Sequence, residues 1–359
     1  MSDELIESSV TTPATAPVAP ATTTEEEWLG EAVSERSAQQ VNEPATEEVG
    51  QEIRQEAGNA GFAQYPGFAP DGMFAIPPPL PLRRRPLSWP SVRTPNFADF
   101  GIFVMMLILG FLVASVAIGL ALFLHSFGLR SFDDVQNSTG VALATQALIY
   151  VVGLSAAIPF FRIVWGKGFF YGIHWHGGTV RRMVIRLIFT AVLCNVIAVL
   201  GNLLLPFPQH APIDKLFGTS SDAWMLMIFG VTVAPFFEEM IFRGFLVPAL
   251  ATAWDWSVER SLGCAPRLPD AEGNPVWSRF AMVFAALVAS VPFTLMHSAQ
   301  VGRAWGPLLL LYCVSLILCT VRLASRSLAA STLVHSTYNF LLFAMMLWQT
   351  GGFRHMDKM

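Results

Sequence analysis

Glu238, Glu239 and Arg243 stand in the middle of an apolar run that begins near Ala223 and continues past Leu250. In a bilayer each such charge costs at least about 2.5–3.5 kcal/mol, so charges that persist there face a protein interior, pair with one another and serve a function. Glu239 and Arg243 are four residues apart and can form a structural pair on one helix face. That pairing leaves Glu238 without a partner. Two further polar groups interrupt later apolar runs: Phe293 with His297, and His335 with Asn339, each again at a spacing of four. These residue types suit hydrolysis. A carboxylate among apolar groups can activate water as a general base, and a histidine or asparagine on the same cavity can stabilise an oxyanion. Alternatively, Glu238, His297 and His335 could hold a zinc with one position open to water.

These side chains need elements to carry them. The chain has 359 residues, of which 53% are hydrophobic and 13% charged. Soluble domains carry about 25% charged residues, so the composition is that of a membrane protein. Seven apolar stretches run roughly over 100–127, 141–163, 183–205, 223–253, 280–299, 306–321 and 328–348, each near the ~20 residues a spanning helix requires. The expected fold is all-α: a polytopic bundle of about seven to eight transmembrane helices, the eighth being a short or re-entrant segment. Basic residues fall on alternate loops (Arg83 to Arg85 and Arg93; Lys167, Arg181 and Arg182; Arg260 and Arg267; Arg322 and Arg326), leaving little beyond Arg130, Lys215 and Arg303 on the others. That bias predicts a cytoplasmic N-terminus.

Depth brings two of the polar groups together. Glu238 lies 16 residues before Trp254, and His297 lies 16 residues after Ala281. In an antiparallel hairpin both then sit about 24 Å from the inner helix ends at 1.5 Å per residue. This requires a fourth helix longer than the bilayer core, protruding or bent near Pro248. His335 matches that depth less closely.

Residues 1–60, acidic and rich in Ala, Thr and Pro, read as a disordered tail. Residues 61–95 form a Pro/Gly-rich linker with a basic end, 96–349 the helical domain and 350–359 a short tail. No apolar leader follows the N-terminus. His174 and His176 sit in an aromatic inner loop and read as interfacial residues more readily than as metal ligands. Residues 255–278 read as a solvated inner loop. Cys194, Cys264, Cys313 and Cys319 show no ligand spacing, and nothing resembles a nucleic-acid surface or a phosphate loop.

Glu238-Glu239 with Arg243, Phe293 with His297, and His335 with Asn339 resemble, in order, the three motifs of the CAAX protease and bacteriocin-processing (CPBP) family, which includes the Abi proteins and the Ras-converting CAAX prenyl endopeptidases. The resemblance spans roughly residues 220–345. It implies an intramembrane endopeptidase, glutamate- or metal-dependent, with a cavity open to the cytoplasm. Glu238 would activate water, His297 would position it, and His335 and Asn339 would stabilise the oxyanion. Glu239, Arg243 and Phe293 would support them; the resemblance leaves the metal open and no cofactor certain, with zinc the one candidate. The implied partners are the lipid bilayer and a membrane-associated peptide or protein; the expected location is a bacterial inner membrane. The long inner loop between the fourth and fifth spans and the extra N-terminal segment depart from the family pattern and bear on substrate identity. Two rivals remain: a non-catalytic scaffold or bacteriocin-immunity protein, and a cation- or proton-coupled transporter.

Overall fold

A computed structural model describes residues 93–208, 211–270 and 274–355. The expected tail and nearly all of the linker lie outside them. Among the described residues the regular structure is helical. In chain order the helices are α1 (Phe97–Phe123), α2 (Phe132–Asn137), α3 (Thr139–Trp165), α4 (Phe169–Gly172), α5 (Gly177–Leu204), α6 (Ser220–Ile228), α7 (Ala234–Glu239), α8 (Val247–Leu262), α9 (Arg279–Met296), α10 (Trp305–Ser325) and α11 (Leu328–Gln349). The path from α6 to α8 is one broken rod of 43 residues, Ser220–Leu262, joined by π-helical segments at Phe229–Val233 and Met240–Leu246.

Six of these elements are long and apolar enough to cross a membrane: α1, α3, α5, the α6–α8 rod, α9 and α10. The seventh expected span, α11, has 22 residues but is not among them. It carries His335, Ser336, Thr337 and Asn339, whose polarity offsets its length. No eighth spanning helix appears among the described residues. α11 is followed instead by a turn at 350–354 that buries Phe353 against Phe217 and Ala223.

Local chemistry sets the helix ends. The Asn96 side chain accepts from the Ala98 and Asp99 amides while the Asp99 carboxylate accepts the Asn96 amide, closing a capping box on α1. α3 stops at Gly166 and α8 at Gly263, both at positive φ (63° and 66°), which glycine adopts without a Cβ clash. α1 lies along α3 at very close range. A Cβ on Gly110 would stand 2.5 Å from the Ile149 carbonyl oxygen, the small-residue approach that membrane helices use in place of hydrophobic driving force. α5 packs along α11, and α8, α9 and α10 pack in sequence. The rod runs through the middle, contributing Phe242, Leu246, Val247 and Leu250 to one apolar cluster and Met240 and Phe245 to another. Large apolar side chains such as Phe111, Ile185 and Phe189 remain exposed on the outside of the bundle, where lipid would take the place of a core.

The segment following α8 is tied down rather than free in solvent. Asp255 accepts from both the Ser278 amide and its hydroxyl, Trp277 donates to Thr252, and Glu259 accepts from the Arg267 amide. Arg93 meets Glu259 at 2.8 Å and pins the start of the described chain to this platform. Cys194 and Cys319 are buried as small apolar groups, Cys313 is half-buried, and Cys264 is exposed; all four are free thiols.

Candidate active site

The two π segments fix where the glutamates point. Pro235 and Pro248 have no N–H to give to the preceding turn, and each π segment lies just before one of them. The Ala234 amide reaches Phe229 O and the Val247 amide reaches Phe242 O, each five residues back. Between these widened turns α7 presents Glu238 and Glu239 to the bundle interior, both buried. Widened turns of this kind concentrate at functional sites.

A π-type bond to Gly230 O would have to come from residue 235, which is proline. The Asn339 side-chain amide supplies that donor, at 2.7 Å. Gly230 has no Cβ to keep α11 away; one there would lie 3.0 Å from the Phe343 ring. One N–H of Asn339 is therefore committed to the rod's backbone, and its amide nitrogen carries a second. Replacing Asn339 by alanine should cost about 1–3 kcal/mol through the unpaired carbonyl, read as a lowered thermal midpoint in detergent.

The Glu239–Arg243 pair stands as the spacing suggested, at 3.0 Å with both side chains fully buried. Arg243 also donates to Ser315 Oγ (2.8 Å) and Ser315 O (3.2 Å), and Ser315 in turn donates to Ser290 Oγ (2.9 Å). Its guanidinium lies 4.3 Å from the centre of the Phe293 ring, a desolvated cation–π contact. Phe293 thus links Arg243 to both histidines, its ring centre 5.0 Å from that of His297 and 5.9 Å from that of His335.

Glu238, His297 and His335 are brought together. Glu238 Oε2 is 3.8 Å from His297 Nε2 and 3.7 Å from His335 Nε2. These gaps are too long for direct hydrogen bonds. Each ring's other nitrogen is occupied: His297 Nδ1 meets Phe293 O at 2.8 Å and His335 Nδ1 meets Glu239 Oε1 at 3.0 Å. A carbonyl and a carboxylate can only accept, so both Nδ1 atoms carry the proton. In the neutral rings both Nε2 atoms then turn a lone pair toward Glu238; a protonated ring would turn a donor there instead. The sequence-derived depth match between Glu238 and His297 has a counterpart in this distance, although the rod continues to Leu262 rather than ending near Trp254. Tyr150 stacks on Phe237 with ring centres 4.0 Å apart, packing α3 against α7.

Two imidazoles with anchored Nδ1–H groups and one carboxylate have the donor composition of a hydrolytic zinc site. Tetrahedral zinc with bonds of about 2 Å sets its ligand atoms about 3.3 Å apart, and the distances here are a few tenths longer. Among the described residues no group of three or more His, Cys, Asp or Glu forms a metal-holding cluster.

His174 and His176 lie apart from this group. Their ring centres are 5.9 Å from one another, and their backbone carbonyls hold the start of α11 through the Leu328 amide and the Ser327 hydroxyl. Burial, with Arg322 and Lys167 nearby, pushes His174 down to about 3. The folded chain thus keeps it neutral from neutral pH down to about 3, whereas an unfolded chain protonates it near 6.5. Acidification through that window favours unfolding. His174→Asn, which tolerates the observed φ of 60°, should flatten the loss of thermal stability between pH 6.5 and 3.

Arg322 and the Ser290–Ser315 pair carry no sequence signal that would place them beside the motifs. Arg322 reads as a loop charge, but α10 continues to Ser325 and leaves Arg322 2% exposed.

Fold and site together define a polytopic α-helical membrane protein with a buried carboxylate–imidazole centre. Residues 220–341 match the family described as type II CAAX prenyl endopeptidase, Rce1-like, which bears out the resemblance to the CAAX proteases over that segment. Searches of curated proteins and of solved structures returned no match.

Proposed function

We propose that the protein is an intramembrane endopeptidase that hydrolyses a peptide bond in a membrane-associated protein or peptide. The observation that carries this reading is the convergence of two oriented Nε2 atoms on the carboxylate of Glu238. A water seated between them donates to acceptors on two sides. Glu238 removes its proton as it attacks the scissile carbonyl, and later delivers a proton to the leaving amine. His297, held by the Phe293 carbonyl, orients the water. His335, held by Glu239, faces the same space; in its protonated form, with Nε2–H as well as Nδ1–H, it donates with the second N–H of Asn339 to the developing oxyanion. The Glu239–Arg243–Ser315 network keeps His335 from turning. If zinc binds, Glu238, His297 and His335 would hold it, and it would lower the pKa of a bound water.

The apolar surround excludes bulk water, which strengthens each of these interactions. With the N-terminus on the cytoplasmic side, as the loop charges favour, the substrate approaches within the inner membrane of a bacterial cell. A transporter reading would call for further charges lining the other spans, and the buried charges cluster instead at this site and at the platform.

The test compares membrane-protein fragments and new C-termini in cells carrying wild-type protein or Glu238→Gln. Fragments that appear only with wild type identify the substrate. Identical fragment sets would remove the protease assignment and favour a scaffold.

A further inference from the structure

We propose that Ser331 is a further positioning residue of this site: its hydroxyl donates to the free oxygen of Glu239 and so fixes the carboxylate that aims the His335 ring. Its consequence for catalysis rests on the endopeptidase reading, whereas the contact between Ser331 and Glu239 does not. Both donors that reach Glu239 converge on one atom. Arg243 Nη1 and His335 Nδ1 each lie 3.0 Å from Oε1, while Oε2 is buried without a hydrogen bond. A carboxylate held at one oxygen is free to swing the other about it, and a buried acceptor left without a donor is costly. A donor at Oε2 removes both problems.

Register brings Ser331 to that oxygen. α11 runs antiparallel to the rod: Leu328 lies against Gly244, His335 against Glu239 and Asn339 against Gly230. Ser331 falls between the first two of these contacts, one helical turn before His335 and on the same face. Glu239 in turn reaches along the rod toward Arg243, four residues on, so its carboxylate extends toward the level of Ser331. Both Ser331 and Glu239 are fully buried. Ser331 is accordingly one of the side-chain hydrogen-bonding groups that act on the Glu239 carboxylate.

The other acceptor open to Ser331 is already crowded. The Ser331 hydroxyl lies 3.0 Å from Leu328 O, but the Thr332 hydroxyl reaches the same carbonyl at 2.9 Å, and the helical ladder assigns it the Thr332 amide as well. A carbonyl oxygen has two lone pairs, so three donors compete there while Glu239 Oε2 has none. A turn of the hydroxyl moves the Ser331 proton from the crowded acceptor to the unserved one. Glu239 is then held at both oxygens. Oε1 stays on His335 Nδ1, and His335 Nε2 stays aimed at Glu238.

The experiment uses the full-length protein in detergent and compares Ser331→Ala, Glu239→Gln, the double variant, and Thr332→Val, which removes the other hydroxyl from Leu328 O. The readouts are thermal unfolding and cleavage of the substrate that the fragment comparison identifies. Folded Ser331→Ala should lose about three- to tenfold in kcat with KM within about twofold, the range that the net worth of one hydrogen bond converts to. Thr332→Val should keep kcat within about twofold of wild type, because it leaves the Glu239 donors in place. Ser331→Ala should also lower the thermal midpoint more in the wild-type background than in Glu239→Gln, where the acceptor has lost its charge. A kcat loss smaller than about threefold in Ser331→Ala, an equal loss in Thr332→Val, or an equal midpoint drop in both backgrounds would overturn the proposal and leave Ser331 as a cap on the first turn of α11. If Ser331→Ala does not accumulate, Ser331→Cys, which keeps the volume, takes its place. If Glu238→Gln cleaves as wild type does, the endopeptidase reading fails, and the midpoints alone decide whether Ser331 holds Glu239.

Discussion

Glu238→Gln should insert and fold as wild type does and lose about 10²–10⁴-fold in kcat, the range expected when a general base is removed. The substitution keeps the shape of the side chain and removes only its capacity to take a proton. Glu238 stands outside the hydrogen-bonded network that holds the bundle together: the two Nε2 atoms lie 3.7 and 3.8 Å from its Oε2, beyond hydrogen-bond reach. The thermal midpoint should therefore stay close to that of wild type. Kinetics on purified protein with a cleavable peptide, alongside thermal unfolding, separate the two effects. Wild-type turnover in the glutamine variant would exclude Glu238 as the base.

Arg243→Met should do the opposite and damage the fold first. Arg243 and Glu239 are both fully buried and 3.0 Å apart. Removing one member of a buried pair leaves the other as an uncompensated charge, at a cost of about 3–5 kcal/mol. The same substitution also strips Ser315 of its cationic donor and Phe293 of its cation–π partner. Combining Arg243→Met with Glu239→Gln removes the stranded charge, so the double variant should be more stable than Arg243→Met alone. Thermal unfolding of the single and double variants in detergent reads this directly. If the double variant is no more stable than the single, Glu239 does not depend on Arg243 for its charge. On these expectations the two neighbouring glutamates divide the work, Glu239 on structure and Glu238 on chemistry.

Much of this division is legible in the chain because membrane burial makes polar residues conspicuous. The apolar stretches mark the helices to within a few residues at most ends, and the spacing of four selects Glu239 with Arg243. Counting from the helix ends also brings Glu238 and His297 level. The counting works although α8 extends to Leu262, because rise per residue is nearly constant whichever loop residue ends the helix. The same counting could not show that Asn339 replaces the N–H missing at Pro235, since that bond joins residues 109 positions apart and exists only once α11 lies against the π segment.

What the chain by itself determines is the membrane class, six of the seven expected apolar spans, those found among the described residues, and the identity of the polar residues that must meet. These follow from local quantities: apolar length, rise per residue and the cost of charge in lipid. Only the tertiary structure decides which nitrogen of each histidine faces Glu238, because that depends on Phe293 O and Glu239 Oε1 taking the other one. It also decides that Arg322 lies inside and not in a loop, since burial at a helix end is set by the helices packed around it. Direction and burial are properties of neighbours distant in sequence, and no local pattern of residues contains them.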